Sequence, residues 1–230
     1  MKILYTSQFK GNGGGHTTYI VHLAQQLSAA HECHVATPES SRLYRFSQAI
    51  PGVKVIAQQF NSRLPLMWPE IRALRALIKK ERYDIVHVNA SGDHRHVALA
   101  CLGLKKRPKI VFTKHNDHKL KSLGNRLRAR GTDRIIAVSQ FVKGLFVDTP
   151  YKQIPIDVVY HGVDTDYFAP SLDATQRAQV RQQLVGPEHE NLILLGSTGG
   201  TDIEKGWLEM VEAVAILPPD LRQQCRIIMA

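Results

Sequence analysis

The chain has 230 residues, a formal net charge of +10, 43% hydrophobic residues and 7% aromatics. That length holds one large core, or one domain with part of another, and the composition is neither disordered nor collagenous. No apolar run approaches the ~20 residues that a membrane-spanning helix needs. Met1–Thr6 is too short an apolar stretch for a secretory leader and reads as a first strand, which points to the cytoplasm.

Ile3–Thr6 is that strand, followed by a glycine-rich loop and a helix carrying Tyr19, Ile20, Leu23, Ala24 and Leu27 on one face. His34–Thr37 and Val53–Ala57 are strands, and Leu66–Glu81 is a helix with Ile71, Leu74, Leu77 and Ile78 at helical spacing. Then come strand Ile85–Asn89, helix His94–Leu102 and strand Ile110–Thr113. Leu120, Leu123 and Leu127 give the next helix a narrow apolar stripe under a basic surface. Strand Ile135–Val138 precedes Ser139, a candidate N-cap, for helix Phe141–Phe146, and Ile156–Tyr160 is a further strand. Short continuous apolar strands alternating with helices predict a doubly wound, Rossmann-like α/β domain around a parallel sheet.

The pattern changes after Pro170. Ser171–Val185 is polar and helical and is broken by Gly186-Pro187. Strand Leu192–Leu195, helix Lys205–Leu217 and strand Cys225–Met229 follow. The predicted organisation is a first domain over 1–170, a linker with a helix over 171–191, and the first β-α-β unit of a second Rossmann-like domain over 192–230. One such unit cannot close a two-sided core, so either these residues pack onto the first domain or the second domain is incomplete.

Charge and cysteine usage add two constraints. Basic residues crowd the segment from Lys105 to Arg134, with Asp117 and Asp133 the acids among them. Such a field attracts polyanions, but no aromatic interleaves the cations between Lys114 and Arg134, which disfavours a stacking platform for nucleic acid. Lys119, Lys121, Arg126 and Arg128 are the candidate patch for an anionic membrane surface. Cys33, Cys101 and Cys225 share no metal or redox spacing and read as buried thiols.

Four segments carry chemistry. Gly11-Asn12-Gly13-Gly14-Gly15-His16 lies between the first strand and the first helix, where small residues and a helix N-terminus favour an anion. His16 stands where a dinucleotide fingerprint has its third glycine, so a nicotinamide-dependent oxidoreductase is a lesser alternative. Thr113-Lys114-His115-Asn116-Asp117-His118 lies at the carboxyl end of a strand, where doubly wound sheets bind ligands. His94, His96, His115 and His118 have weak metal-ligand spacings, and no metal is expected. His161-Gly162-Val163-Asp164 follows a strand. Gly196–Gly206 is a second glycine-rich loop, whose Lys205 stands at a helix start suited to a diphosphate.

Taken in order, these segments resemble glycosyltransferase family 4, the retaining sugar-nucleotide transferases of the two-domain GT-B fold. The resemblance runs through Gly13–Gly15, Leu23–Leu27, Asp84–Val88, Thr113 and His115, Asp133–Ser139, His161–Asp164 with Phe168 and Pro170, and Lys205-Gly206. It implies a nucleoside-diphosphate sugar as donor substrate, with no separate cofactor. The implied acceptor is a cell-envelope glycan or glycolipid such as lipopolysaccharide.

The resemblance also implies residue roles. His115 and Lys205 are the catalytic candidates. Gly13, Gly14, Gly15, Lys205 and Gly206 would bind the donor, the Gly13–Gly15 loop facing its diphosphate across an interdomain cleft. His16 and Asp164 would lie on the acceptor side. The protein is expected in the cytoplasm, peripheral at the inner face of the membrane.

Three departures stand out. No Arg lies between Leu192 and Glu204, His161 replaces the family's usual Asn, and the later paired-glutamate motif does not occur before Ala230. Incomplete catalysis by the chain alone is therefore expected. A non-catalytic binding protein built on the same fold is the main alternative, and a sugar-nucleotide epimerase a lesser one.

Overall fold

Every strand of the main sheet runs parallel, and β1 alternates its side chains between two cores. The computed structural model describes residues 1–11, 14–118, 120, 123–168, 173–189, 191–199 and 203–229. Lys2–Thr6 is β1, Gly15–Leu27 α1, Glu32–Thr37 β2, Arg42–Gln48 α2, Lys54–Ala57 β3 and Leu64–Glu81 α3. Ile85–Val88 is β4, Ser91–Cys101 α4, Lys109–Lys114 β5, Leu123–Gly131 α5, Arg134–Ala137 β6, Gln140–Gly144 α6 and Ile156–Val158 β7. The seven strands are ordered β3-β2-β1-β4-β5-β6-β7. This is the doubly wound α/β architecture that the alternation predicts.

Period-2 side chains explain the two cores. From β1, Ile3 and Tyr5 pack with Tyr19, Ile20 and Ala24 of α1, with Cys33 and Val35 of β2, and with Leu43 of α2. Leu4 points the other way and packs with Met67, Ile71, Leu74 and Ile78 of α3, Val97 and Ala100 of α4, and Val86 and Val88 of β4. Helices on both faces thus bury most of the central strands β1, β2, β4 and β5, as continuous apolar strands require, while the edge strands β3 and β7 stay partly exposed.

Local chemistry sets several boundaries. Ser41 caps α2 by accepting from the Tyr44 N–H at 3.0 Å, and Ser139 caps α6 by accepting from the Val142 N–H at 3.1 Å. The Ser139 cap follows the sequence reading, whereas α2 has no counterpart in it. Arg42-Leu-Tyr-Arg-Phe-Ser-Gln buries only Leu43 and Ser47, too few positions to display a period.

Helix α5 reverses its predicted face. Leu123 is 78% exposed and Leu127 is exposed, while Asn125, Arg128 and Ala129 are buried. Leu120 precedes the helix and is buried. The inward side is polar because it meets polar partners. Arg128 Nη2 donates to Asn125 Oδ1 at 2.5 Å, that oxygen also accepts from the Tyr151 hydroxyl at 3.3 Å, and Arg128 Nη1 lies 3.5 Å from the Ser91 carbonyl.

The chain separates into two units, Met1–Gly162 and Val163–Ala230. The second holds α7 (Ala174–Val185), β8 (Ile193–Ser197), α8 (Trp207–Ala215), α9 (Pro219–Gln223) and β9 (Cys225–Met229). Strands β8 and β9 pair in parallel, with Leu195 opposite Ile227. Asp173 caps α7 by accepting from the Gln176 N–H at 2.7 Å.

Candidate functional site

Strand order reverses between β1 and β4, and the loops after these two strands leave in opposite directions. That divergence opens a crevice at the carboxyl ends, where open α/β sheets take ligands. The first wall is the start of α1. Gly14, the residue before the helix, is extended (φ −141°, ψ −150°), and its carbonyl accepts from the Thr17 N–H at 2.8 Å. No side chain caps this end and no acid lies in its first turn. Gly15 begins the helix, and a Cβ there would meet nothing within 4 Å. Gly13 lies outside the described residues.

His115 follows β5 and faces the same crevice. Its Nε2 is 3.1 Å from Asn89 Oδ1. The Asn89 amide nitrogen donates to the carbonyls of Thr6 (3.1 Å) and His87 (3.2 Å), so the amide presents its oxygen to the ring. His115 therefore carries its proton on Nε2, and Nδ1 is a lone pair. That Nδ1 is buried and has no hydrogen-bond partner. Burial, reinforced by neighbouring His161, His16 and His87, depresses the ring pKa to about 3. At neutral pH His115 is an uncharged acceptor.

Supporting groups fix this ring. Tyr19 of α1 meets it edge-on with centroids 4.9 Å apart, and His161 stacks on the other reach of Tyr19, also at 4.9 Å. His16 lies 6.2 Å from His115 and 3.8 Å from Phe9, and its buried Nε2 is likewise unpartnered. Behind them, His87 Nε2 is 2.6 Å from Thr113 Oγ1, which also lies 3.3 Å from the Tyr19 hydroxyl. Burial lowers His87 to about 4. Two bare ring nitrogens beside an aromatic platform suit a ligand rich in hydroxyl donors.

Gly92, in the first turn of α4, is needed for a different reason. A Cβ there would fall 1.6 Å from Gln8 Oε1, so the loop after β1 and the start of α4 touch through this glycine.

The histidines with weak metal spacing do not converge. His94 Nε2 bonds Thr132 Oγ1 at 2.9 Å, and His96 bonds the Gly92 carbonyl and Glu70 Oε2 at 2.9 and 3.1 Å. Both are core residues held by helix and loop partners. Among the described residues, Glu32, His34 and Glu81 are grouped closely enough for a metal ion. Lys2 already binds both glutamates, at 2.8 and 2.5 Å, and Lys54 binds Glu81 at 2.9 Å. Cys33 and Cys101 are buried free thiols and Cys225 is a partly buried one.

The second unit carries Asp164, Lys205 and Gly206. The Asp164 carboxylate accepts from its own turn, the N–H groups of Asp166 (3.0 Å) and Tyr167 (2.9 Å). Lys205 is exposed and ends a short 3-10 turn, Ile203–Lys205, and Gly206 (φ 73°) opens α8 in the left-handed conformation. A Cβ on Gly199 would come within 3.2 Å of Lys205 Cβ, so this glycine lets the lysine stem lie against the loop.

The expected basic patch is altered by the reversed face of α5. Arg126 is exposed, as is Arg130, but Arg128 is 9% exposed and points inward, so it cannot belong to a surface patch. Lys119 and Lys121 lie outside the described residues. No helix among the described residues is long and apolar enough to cross a membrane.

Sequence reasoning passed over Asn89 and Tyr19 as site residues, and it singled out the His161–Asp164 motif without giving His161 a role. Asn89 had a usable signal, a polar residue ending an apolar strand at the point where strand order reverses. Tyr19 reads as core because it lies on the apolar face of α1, and its edge-on contact with His115 joins residues far apart in the chain.

The model of Glycosyltransferase Family 4 matches residues 13–167. No curated protein matches the chain. Among solved structures, Anabaena Alr3699/HepE in complex with UDP and glucose is similar, with 20% identity and a TM-score of 0.77 over 100% of this chain and 60% of that one. A glycosyltransferase from Rickettsia africae ESF-5 is similar at 18% identity and a TM-score of 0.76, over 99% of this chain and 68% of that one. The lipopolysaccharide outer core galactosyltransferase WaaB, in its apo form, is similar at 16% identity and a TM-score of 0.60, over 100% and 68%. These likenesses carry the fold. The chain spans 60% of the length of the HepE chain.

Proposed function

Because the chain belongs to Glycosyltransferase Family 4, we propose that it is the acceptor-side part, with the start of the donor-side part, of a retaining transferase using a nucleoside-diphosphate sugar. The observation that carries this reading is His115, a neutral ring with a bare, buried Nδ1 at the switch point. Such a nitrogen accepts a hydrogen bond from a sugar hydroxyl without placing a cation beside an anomeric carbon that becomes positive in the transition state. The uncapped N-terminus of α1 offers N–H groups to an anion.

In the second unit, Lys205 and the N–H groups around Gly206 are assigned to the leaving diphosphate. Charge stabilisation there grows as the glycosidic bond breaks. The HepE structure contains UDP and glucose, which supports a uridine donor. The likeness to WaaB supports a lipopolysaccharide-type acceptor. Exposed Arg126 and Arg130, with Leu123 and Leu127, are the surface we assign to an anionic membrane, each cation contributing ~1 kcal/mol near such a surface.

Calorimetry with UDP, UDP-glucose and GDP on the 230-residue chain tests the donor half. Saturable binding of a uridine ligand, weakened about tenfold by Lys205→Ala, is expected, since a charge-assisted contact contributes ~1.5–3 kcal/mol. Binding of none of the three, or equal binding by the variant, would overturn the assignment.

A further inference from the structure

Beside His115 lies a cavity of about 180 Å³ that the transfer chemistry does not use. It has room for several waters. Strands β4 and β5 are neighbours, with Val88 opposite Phe112, so the residues after both strands open onto one space. Asn89 and Ser91 form one wall, Lys114, His115 and Asn116 another, and Asn125 and Arg128 of α5 the third.

Two cations are buried in these walls. Lys114 is 3% exposed, and its Nζ donates to Asn116 Oδ1 at 2.9 Å and to the His118 carbonyl at 2.8 Å. Arg128 is 9% exposed, and its Nε is buried with no partner. Among the described residues neither cation has a carboxylate within ion-pair distance. Asp117, the acid whose field reaches Lys114, is exposed and pairs with His118 at 3.6 Å. Arg95 feels the charge of Arg128, which, after burial, lowers its pKa. Burial lowers Lys114 to about 8.

Buried charges are ordinarily paired, because neutral amide and carbonyl oxygens do not replace the lost water. Two such cations converging on one polar cavity, with a guanidinium N–H left over, describe the receptor for an anion that is absent from the chain itself. A carboxylate would balance only one of them. A phosphate monoester carries about −1.5 to −2 at neutral pH and three acceptor oxygens, enough for both.

We propose that the cavity between Asn89, Ser91, Lys114, Asn116, Asn125 and Arg128 binds a phosphate monoester group of the acceptor substrate. That the group arrives on an acceptor rests on the transferase reading above, whereas the anion site itself does not. A phosphate held here fixes the acceptor by a handle adjoining His115 and leaves its hydroxyls free to approach the ring.

The test is an amide ¹H–¹⁵N NMR titration of the 230-residue chain, without donor, using inorganic phosphate, glycerol 3-phosphate and glucuronate. Saturable shifts at Asn89–Ser91 and Lys114–Asn116 are expected, with glycerol 3-phosphate binding at least as tightly as inorganic phosphate. Arg128→Gln and Lys114→Met should each weaken binding tenfold or more, and phosphate should raise the Lys114 pKa. Should a variant lose its folded spectrum, the wild-type shift map decides. Shifts elsewhere, or none, would overturn the site. Tighter binding of glucuronate would overturn the phosphate class, and tighter binding of inorganic phosphate would overturn the acceptor as its source. Titration of UDP in parallel reports on Lys205, so a failed donor reading is seen separately.

Discussion

Asn89 holds His115 by its side-chain oxygen across 3.1 Å, while its nitrogen is committed to the Thr6 and His87 carbonyls. One amide thereby ties β1, β4 and β5 together and selects the tautomer of the ring. ¹⁵N NMR of the side chain should show His115 neutral, protonated on Nε2, across the physiological range. Asn89→Asp places a carboxylate against Nε2 and should raise the His115 pKa by at least one unit. A wild-type ring titrating near 6.5 would contradict the burial seen here.

Stability should fall on mild acidification. His87, His94 and His115 are depressed by burial to about 4, 3 and 3. The unfolded chain protonates these rings near 6.5, so below that pH it binds more protons than the native state and stability declines toward pH 4. Asp93 acts in the opposite sense. Burial raises it to about 7 from 3.8, so between those values the native state holds the extra proton and stability declines as pH rises. Three rings outweigh one carboxyl. Thermal unfolding should drop by several degrees from pH 6.5 to 4.5, and a flat profile would contradict the assignment.

Gly92→Ala should destabilise the chain by ~1 kcal/mol, because the new methyl displaces Gln8. In a Gln8→Ala background the same change should be neutral or stabilising by about 0.5 kcal/mol, since alanine favours the helix over glycine. Denaturant melts of the four proteins measure the coupling, and additive effects would mean the two residues do not touch.

The inverted face of α5 gives a paired prediction. Leu123→Ser should change stability by less than about 0.5 kcal/mol, as an exposed position does. Ala129→Leu should cost ~1–3 kcal/mol through overpacking. The opposite order would restore the leucine stripe as the inner face.

Much of the sheet was legible because β-strands buried on both faces are written as continuous apolar runs, and Ile3–Thr6 and Ile110–Thr113 carry that pattern. Helix α5 was misread because period alone ranks Leu above Arg for burial. Arg128 is drawn inward by the Asn125 side chain and the Ser91 carbonyl, partners fixed by tertiary structure. At the site, His115 and the glycine loop were visible as motifs. Asn89 and Tyr19, and the stacking of His161 on Tyr19, required the tertiary structure, since their roles arise from contacts with residues distant in the chain.

The position of β1 between β2 and β4 also orders events in time. Pairing β1 with β2 joins Ile3 to Cys33, but the Asn89 contact to Thr6 spans 83 residues. Closing that long segment is entropically slow compared with forming the parallel β1–α1–β2 unit. His115, held by Asn89, therefore acquires its surroundings late, once the segment that contains α3 has closed. A nascent chain would have α1 in place well before it had a site. Mutations in α3, remote from every ligand group, should slow the appearance of binding competence in refolding without altering the affinity finally reached.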